Sequence, residues 1–237
     1  MNLSLFLAET FRIDYHDPGI HTCAADLFSA ARDDTDKARA AYLFVRDKIP
    51  HTFDIGKDIV PVTASEVLRC GTGICHTKAI LLAALLRSAE IPAGFCFQRI
   101  TLADDDTAGY CLHCFNAAFL EGRWIYLDAR GNTNGKNAQF SLDEPKLAYS
   151  NRPGYEEYFF PGIYAEPHAA TMAVLKNAKT LQDILDGVPD TITDVPDIRE
   201  NKNYVPPETI RRTSAPTCSS SDSFSRRTSA VYCGRFT

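Results

Sequence analysis

No apolar run in the sequence reaches the roughly 18 residues that a membrane-spanning helix needs, so no membrane partner is expected. The opening MNLSLFLAETFRIDY has no basic residue ahead of its short apolar patch, Leu3 to Ala8, and no small-residue cleavage site after it, so it does not read as a secretory signal. Nothing marks the chain for export. At 237 residues and 45% hydrophobic it is too long and too apolar to need a disulfide framework, and its eight cysteines are read as mostly free thiols. No calcium-loop motif occurs. Positive charge is scarce over residues 1–198, where 18 Lys/Arg stand against 27 Asp/Glu, while residues 199–237 hold seven against three. An acidic body argues against a nucleic-acid partner. Together these absences predict a soluble, cytoplasmic protein with one domain over residues 1–198 and no cofactor or metal.

Residues 34–49 carry apolar side chains at Ala38, Ala41, Tyr42, Val45 and Ile49, a helical stripe behind three candidate caps, Asp33, Asp34 and Thr35, and stopped by Pro50. Thr63-Ala64-Ser65-Glu66 has capping-box spacing and predicts a short helix to about Arg69, broken by the glycines of GTGICHTKAILLAALL. From His76 to about Ala89 a helix apolar nearly all round follows, and such a helix belongs at the centre of a core. The period then changes to two. Gly94–Ile100, Tyr110–Leu120 and Arg123–Asp128 read as strands, the last two joined by a tight turn at Glu121-Gly122. A buried helix packed on an antiparallel sheet gives an α+β fold. Residues 199–237 read as a disordered Ser/Thr/Arg-rich tail; it repeats RRTSA at 211–215 and 226–230, which makes Ser214 and Ser229 candidate phosphorylation sites, although a plain solvated tail is the better reading.

Cys75 stands at the mouth of the greasy helix, where the dipole and unpaired N–H groups favour thiolate. The dipole alone falls short, since its ceiling of roughly 2 kcal/mol lowers a thiol pKa by only about 1.5. A cationic partner is required, and His113 is the candidate. With a two-residue turn, Phe115 faces Asp128 and His113 faces Arg130, so Asp128 lies diagonal to His113 on one sheet face and can orient its imidazole. Cys75, His113 and Asp128 thus supply nucleophile, base and orienter. Each alone is more often structural; their joint order and facing favours a triad. A rival uses Cys70, Cys75, Cys111 and Cys114 as zinc ligands, but Cys111 and Cys114 point to opposite faces of a strand and cannot converge on an ion. Cys111 shares the face of His113, and its pairing with Cys75 under oxidation stays open.

With these residues assembled, the sequence resembles the transglutaminase-like superfamily of cysteine enzymes with a papain-like core. The resemblance rests on Ala64-Ser65-Glu66-Val67-Leu68, Gly73-Ile74-Cys75, Leu85 to Ala93, His113 and Gly122 to Asp128, and covers about residues 35–135. It differs in carrying Phe115 and Ala117 where relatives often have Trp and an acidic residue. The resemblance implies a central Cys-bearing helix on a sheet bearing His and Asp, and acyl transfer through a thioester on an amide, peptide or thioester carbonyl. Hydrolysis or small-molecule transfer is preferred to protein cross-linking, because the chain lacks length for further β-domains; a non-catalytic binding module on the same fold is the remaining alternative. In relatives a side chain ahead of the Cys completes the oxyanion hole beside the Cys N–H; here His51 and Thr52 are the available donors, and the role is unassigned.

Overall fold

The computed structural model describes residues 2–103 and 105–198. The expected tail at 199–237, with its RRTSA repeats, Ser214 and Ser229, lies outside the described residues. Asp17 caps α1 (Pro18–Phe28), a helix the periodicity did not mark, with Pro18 at its first turn. Asp33 caps α2 (Asp34–Lys48), its carboxylate accepting the Asp36 N–H at 2.8 Å, and the stripe of Ala38, Ala41, Tyr42 and Val45 is buried. After Pro50 comes a single turn, α3 (Thr52–Ile55). The capping box forms at the head of α4 (Ala64–Cys70): Thr63 Oγ1 accepts the Glu66 N–H and Glu66 Oε2 accepts the Thr63 N–H, both at 3.2 Å. α5 (Cys75–Ser88) then runs through the core, buried at every position from Cys75 to Arg87.

The sheet is antiparallel, in the order β3-β2-β1-β4, built from β1 (Ala93–Thr101), β2 (Tyr110–Leu120), β3 (Arg123–Leu127) and the short β4 (Tyr158–Phe159). Glu121 and Gly122 join β2 to β3 with φ of 50° and 76°, the left-handed pair of a type I′ turn, which fixes Leu120 opposite Arg123 and Asn116 opposite Leu127. The expected register is therefore met, but the ladder stops at Leu127, one residue short of the predicted strand end. Beyond it β2 pairs only with β1 among the described strands, and its free edge is met by Pro189, whose carbonyl accepts the Leu112 N–H at 2.9 Å.

Alternation decides which face packs where. Phe95, Phe97, Leu112, Cys114, Ala118, Leu120, Ile125 and Leu127 share one hydrophobic cluster with α5. On the opposite face Cys96, Phe115, Ala117, Trp124 and Tyr126 are covered by Phe6, Ile163, Ala165 and Ile198. His113 belongs to this second face, cross-strand from Gln98, which in turn opposes Phe159. Met172 of α6 (Ala169–Asn177) and Ile184 of α7 (Leu181–Gly187) extend the cluster around α5. Among the described residues no helix is long and apolar enough to cross a membrane.

Candidate active site

The head of α5 is set by two glycines with different duties. Gly71, at φ 63°, ends α4 in the left-handed conformation that a glycine adopts without strain. Gly73 is required by clearance, because a Cβ there would lie 2.6 Å from Thr77 Oγ1. That hydroxyl accepts the Ile74 N–H at 3.1 Å and so fixes the first turn. Both glycines thus shape the turn that presents Cys75. The Cys75 N–H donates to His51 Nε2 at 3.1 Å. His51 is held there by a parallel bridge to Gly73, in which the Thr52 N–H donates to the Gly73 carbonyl at 3.1 Å. Of the two candidate oxyanion donors, His51 stands at Cys75, while the Thr52 hydroxyl is bonded to Thr72 Oγ1 at 3.1 Å.

His113 Nε2 and Asp128 Oδ2 are 2.8 Å apart, and both side chains are 1% exposed or less. The expected diagonal gap is closed by a bend, since Asp128 has left the ladder. Its carboxylate also accepts the Ala148 N–H at 2.8 Å and the Arg130 N–H at 3.1 Å. With Nε2 committed to Asp128, Nδ1 of His113 is left over, and His113 and Cys75 lie close enough to shift each other's titration. His113 lies on the sheet face away from α5, so the two meet around the strand edge that β3 leaves open. The same edge turns the Cys114 backbone N–H toward the sulfur. Tyr149 packs edge-on against His113, ring centroids 4.8 Å apart, and Phe115 stacks on it at 6.1 Å.

Residues 21–129 match the family model described as the transglutaminase-like superfamily. This segment is a transglutaminase-like domain. The chain is similar to a proposed cysteine protease from Cytophaga hutchinsonii, at 20% identity over 54% of this chain and 42% of that one, with a TM-score of 0.45. It is also similar to the periplasmic domain of TgpA from Pseudomonas aeruginosa, at 16% identity over 54% of this chain and 48% of that one, with a TM-score of 0.41. The chain thus spans less than half the length of each. Among curated proteins none matches this sequence.

Electrostatics in the transglutaminase-like domain oppose burial with pairing. Burial disfavours a Cys75 thiolate, but the hydrogen bond and charge of His113, the Cys114 N–H and the Arg130 cation outweigh it and hold the thiol below its ordinary value. Burial likewise disfavours an imidazolium at His113, yet Asp128 and Cys75 raise it to about 9. Burial also works against the Asp128 carboxylate, and His113 with two backbone N–H groups keeps it below the usual carboxylate range. Both shifts lean toward a thiolate–imidazolium pair, whose protons belong to the pair rather than to either residue. His51 is kept neutral by burial and by the cations Arg130 and Lys78, consistent with Nε2 accepting a hydrogen bond.

Further residues around the site carry no motif. Arg130, wholly buried, grips Asp54 with two bonds of 2.6 and 2.7 Å and donates to Tyr149 Oη at 3.3 Å. Lys78 lies buried one turn along α5 from Cys75, and burial lowers its pKa to about 7. A charged residue inside an otherwise apolar helix is the signal that could have found it. Cys111 clusters with Tyr149 and Ile100. Cys70 is exposed at the end of α4, apart from the buried thiols, and among the described residues no group of three or more His, Cys, Asp or Glu is placed to hold a metal ion. Beyond Tyr149 opens a cavity of about 670 Å³ lined also by Gln139, Lys146, Asn151, Arg152 and Phe159. It lies on the His113 face, because Gln98 links His113 to Phe159 across the sheet and donates to Asn151 Oδ1 at 2.9 Å.

Proposed function

We propose that this protein is a cysteine-dependent acyltransferase or hydrolase, with Cys75 as nucleophile, His113 as acid and base and Asp128 as orienter. The observation that carries this is the buried 2.8 Å contact of His113 with Asp128, next to a Cys75 thiol that His113 holds below its ordinary value. The Cys75 thiolate attacks the carbonyl carbon of an amide, peptide or thioester, and the carbonyl oxygen takes the negative charge. The Cys75 N–H, now donating to His51, is the backbone donor nearest that oxyanion. As the tetrahedral species collapses, the imidazolium of His113 gives its proton to the leaving group and a thioester remains. Water, deprotonated by His113, then releases the acid; a small amine in its place gives a new amide. The amide-lined cavity beside Tyr149 supports a peptide-like or other hydrogen-bonding substrate over a bare hydrocarbon. We take the working unit to be residues 1–198, in the cytoplasm.

Alkylation by iodoacetamide near neutral pH, mapped by mass spectrometry, tests the nucleophile. Cys75 is expected to react ahead of the exposed Cys70. Equal or slower reaction of Cys75 would defeat the enzyme reading in favour of a binding module. Offering an acyl donor with a labelled amine then separates hydrolysis from transfer, and labelling of protein glutamines would shift the assignment to cross-linking.

A further inference from the structure

Lys78 is buried within α5, a helix that is buried at every position from Cys75 to Arg87. Its stem suits that environment; its amine does not unless acceptors meet it. Two do. Nζ donates to the Ile49 carbonyl and, at 3.1 Å, to the Arg130 carbonyl. Ile49 closes α2 two residues before His51, which holds the Cys75 amide. Arg130 follows Asp128 by two residues, and its own N–H donates to Asp128 Oδ1 at 3.1 Å. The Arg130 guanidinium grips Asp54 of α3, three residues beyond His51. At Gly131, where φ is 112°, a Cβ would stand 3.7 Å from the amine, so the loop passes close over it.

We propose that Lys78 is a positioning residue of the active site, its amine clamping the His51 segment and the Asp128 loop onto the helix that carries Cys75. The inference rests on the acyl-transfer reading. Lys78 touches none of the reacting atoms; it acts by fixing three segments that approach from different parts of the chain, and a misplacement on the order of 1 Å in such a site costs about 10²-fold in rate. The charged groups facing it are Arg130, Asp54, Asp128 and Asp47. Loss of a proton does not open the clamp, because the neutral amine keeps two N–H donors for two carbonyls.

The test is the rate of Cys75 alkylation by iodoacetamide against pH, with melting temperature, in the full chain. Lys78→Met keeps length and removes the donors; Lys78→Gln keeps two N–H donors without charge; Leu86→Ala truncates the far end of α5 as a stability control. Lys78→Met is expected to slow Cys75 about 10²-fold and to move its acid limb upward, with Lys78→Gln restoring at least tenfold of the loss. Leu86→Ala is expected to lower the melting temperature without moving the limb. A folded Lys78→Met with wild-type rate and limb overturns the clamp, and so does a slowing that Leu86→Ala reproduces. Where Lys78→Met does not fold, Lys78→Gln decides: near wild-type rate and limb support the clamp, whereas a 10²-fold loss or no folding overturns it. Failure of the acyl-transfer reading is seen separately, in wild-type Cys75 showing no selectivity.

Discussion

Replacing Asp128 by Asn removes one charge and almost no volume, which makes it the sharpest probe of the site. In the native protein His113 is raised from 6.5 to about 9 against the effect of burial, with the Asp128 carboxylate at 2.8 Å the foremost cause in that direction. That rise corresponds to about 3 kcal/mol of preference for the imidazolium, an order-of-magnitude figure shared with Cys75. Removing a group that raises a pKa lowers it, so His113 in Asp128→Asn should fall to its ordinary value or, with burial unopposed, beneath it. Cys75 loses its cation in turn, and its pKa should climb to that of a free thiol or above. The amide also meets three donors, from His113, Ala148 and Arg130, with one acceptor oxygen where the carboxylate had two. A donor left facing the NH₂ group costs about 1–3 kcal/mol of stability. Stopped-flow alkylation of Cys75 from pH 5 to 10 reads the first effect directly: the acid limb, below the ordinary thiol value in the wild type, should move up in the variant. Acyl transfer should fall by about 10²–10⁴-fold. A folded Asp128→Asn with an unmoved acid limb would refute the assignment of Asp128, whatever happened to the rate.

The alkaline limb of acyl transfer should lie near pH 9, where His113 loses the proton it must give the leaving group, while alkylation persists past that point because the thiolate remains; coincident alkaline limbs for the two reactions would contradict the acid role. Gly73→Ala should lower the melting temperature and blunt Cys75 reactivity together, since the new methyl group meets Thr77 Oγ1 at 2.6 Å; a variant with a native melting curve and native alkylation rate would show that the turn yields. Thr63→Ala should cost about 1 kcal/mol in urea unfolding through the lost cap of α4 while leaving the alkylation pH profile in place, and a shifted profile would count against a purely local role.

The parts of this fold that were legible are those where local chemistry decides. The two-residue turn at Glu121-Gly122 leaves one register open to it, so Asn116 opposite Leu127 followed from counting. The Thr63-Glu66 box and the greasy run after Cys75 likewise name their own structures. The meeting of His113 with Asp128 was legible because facing on a strand is a matter of parity. Parity also misled in one respect: it carried the ladder on to Asp128, whereas the strand ends at Leu127 and the carboxylate reaches His113 through a bend held by the Ala148 and Arg130 amides. That ending is what exposes the β2 edge, and with it the route by which a helix on one sheet face presents Cys75 to a histidine on the other.

What stayed hidden has a common cause. Lys78 stands in plain sight within a helix that the pattern already sends to the core, and a buried amine demands acceptors. Those acceptors are backbone carbonyls at Ile49 and Arg130, 29 and 52 residues away, and a carbonyl leaves no mark in a sequence because every residue has one. The pairing of Arg130 with Asp54 is hidden for the complementary reason: both side chains are conspicuous, but nothing local brings residues 76 apart together. A polar residue inside an all-round apolar helix therefore predicts that a clamp exists, while its partners emerge only when the chain is folded, and in this protein the partners lie on the two segments that carry His51 and Asp128.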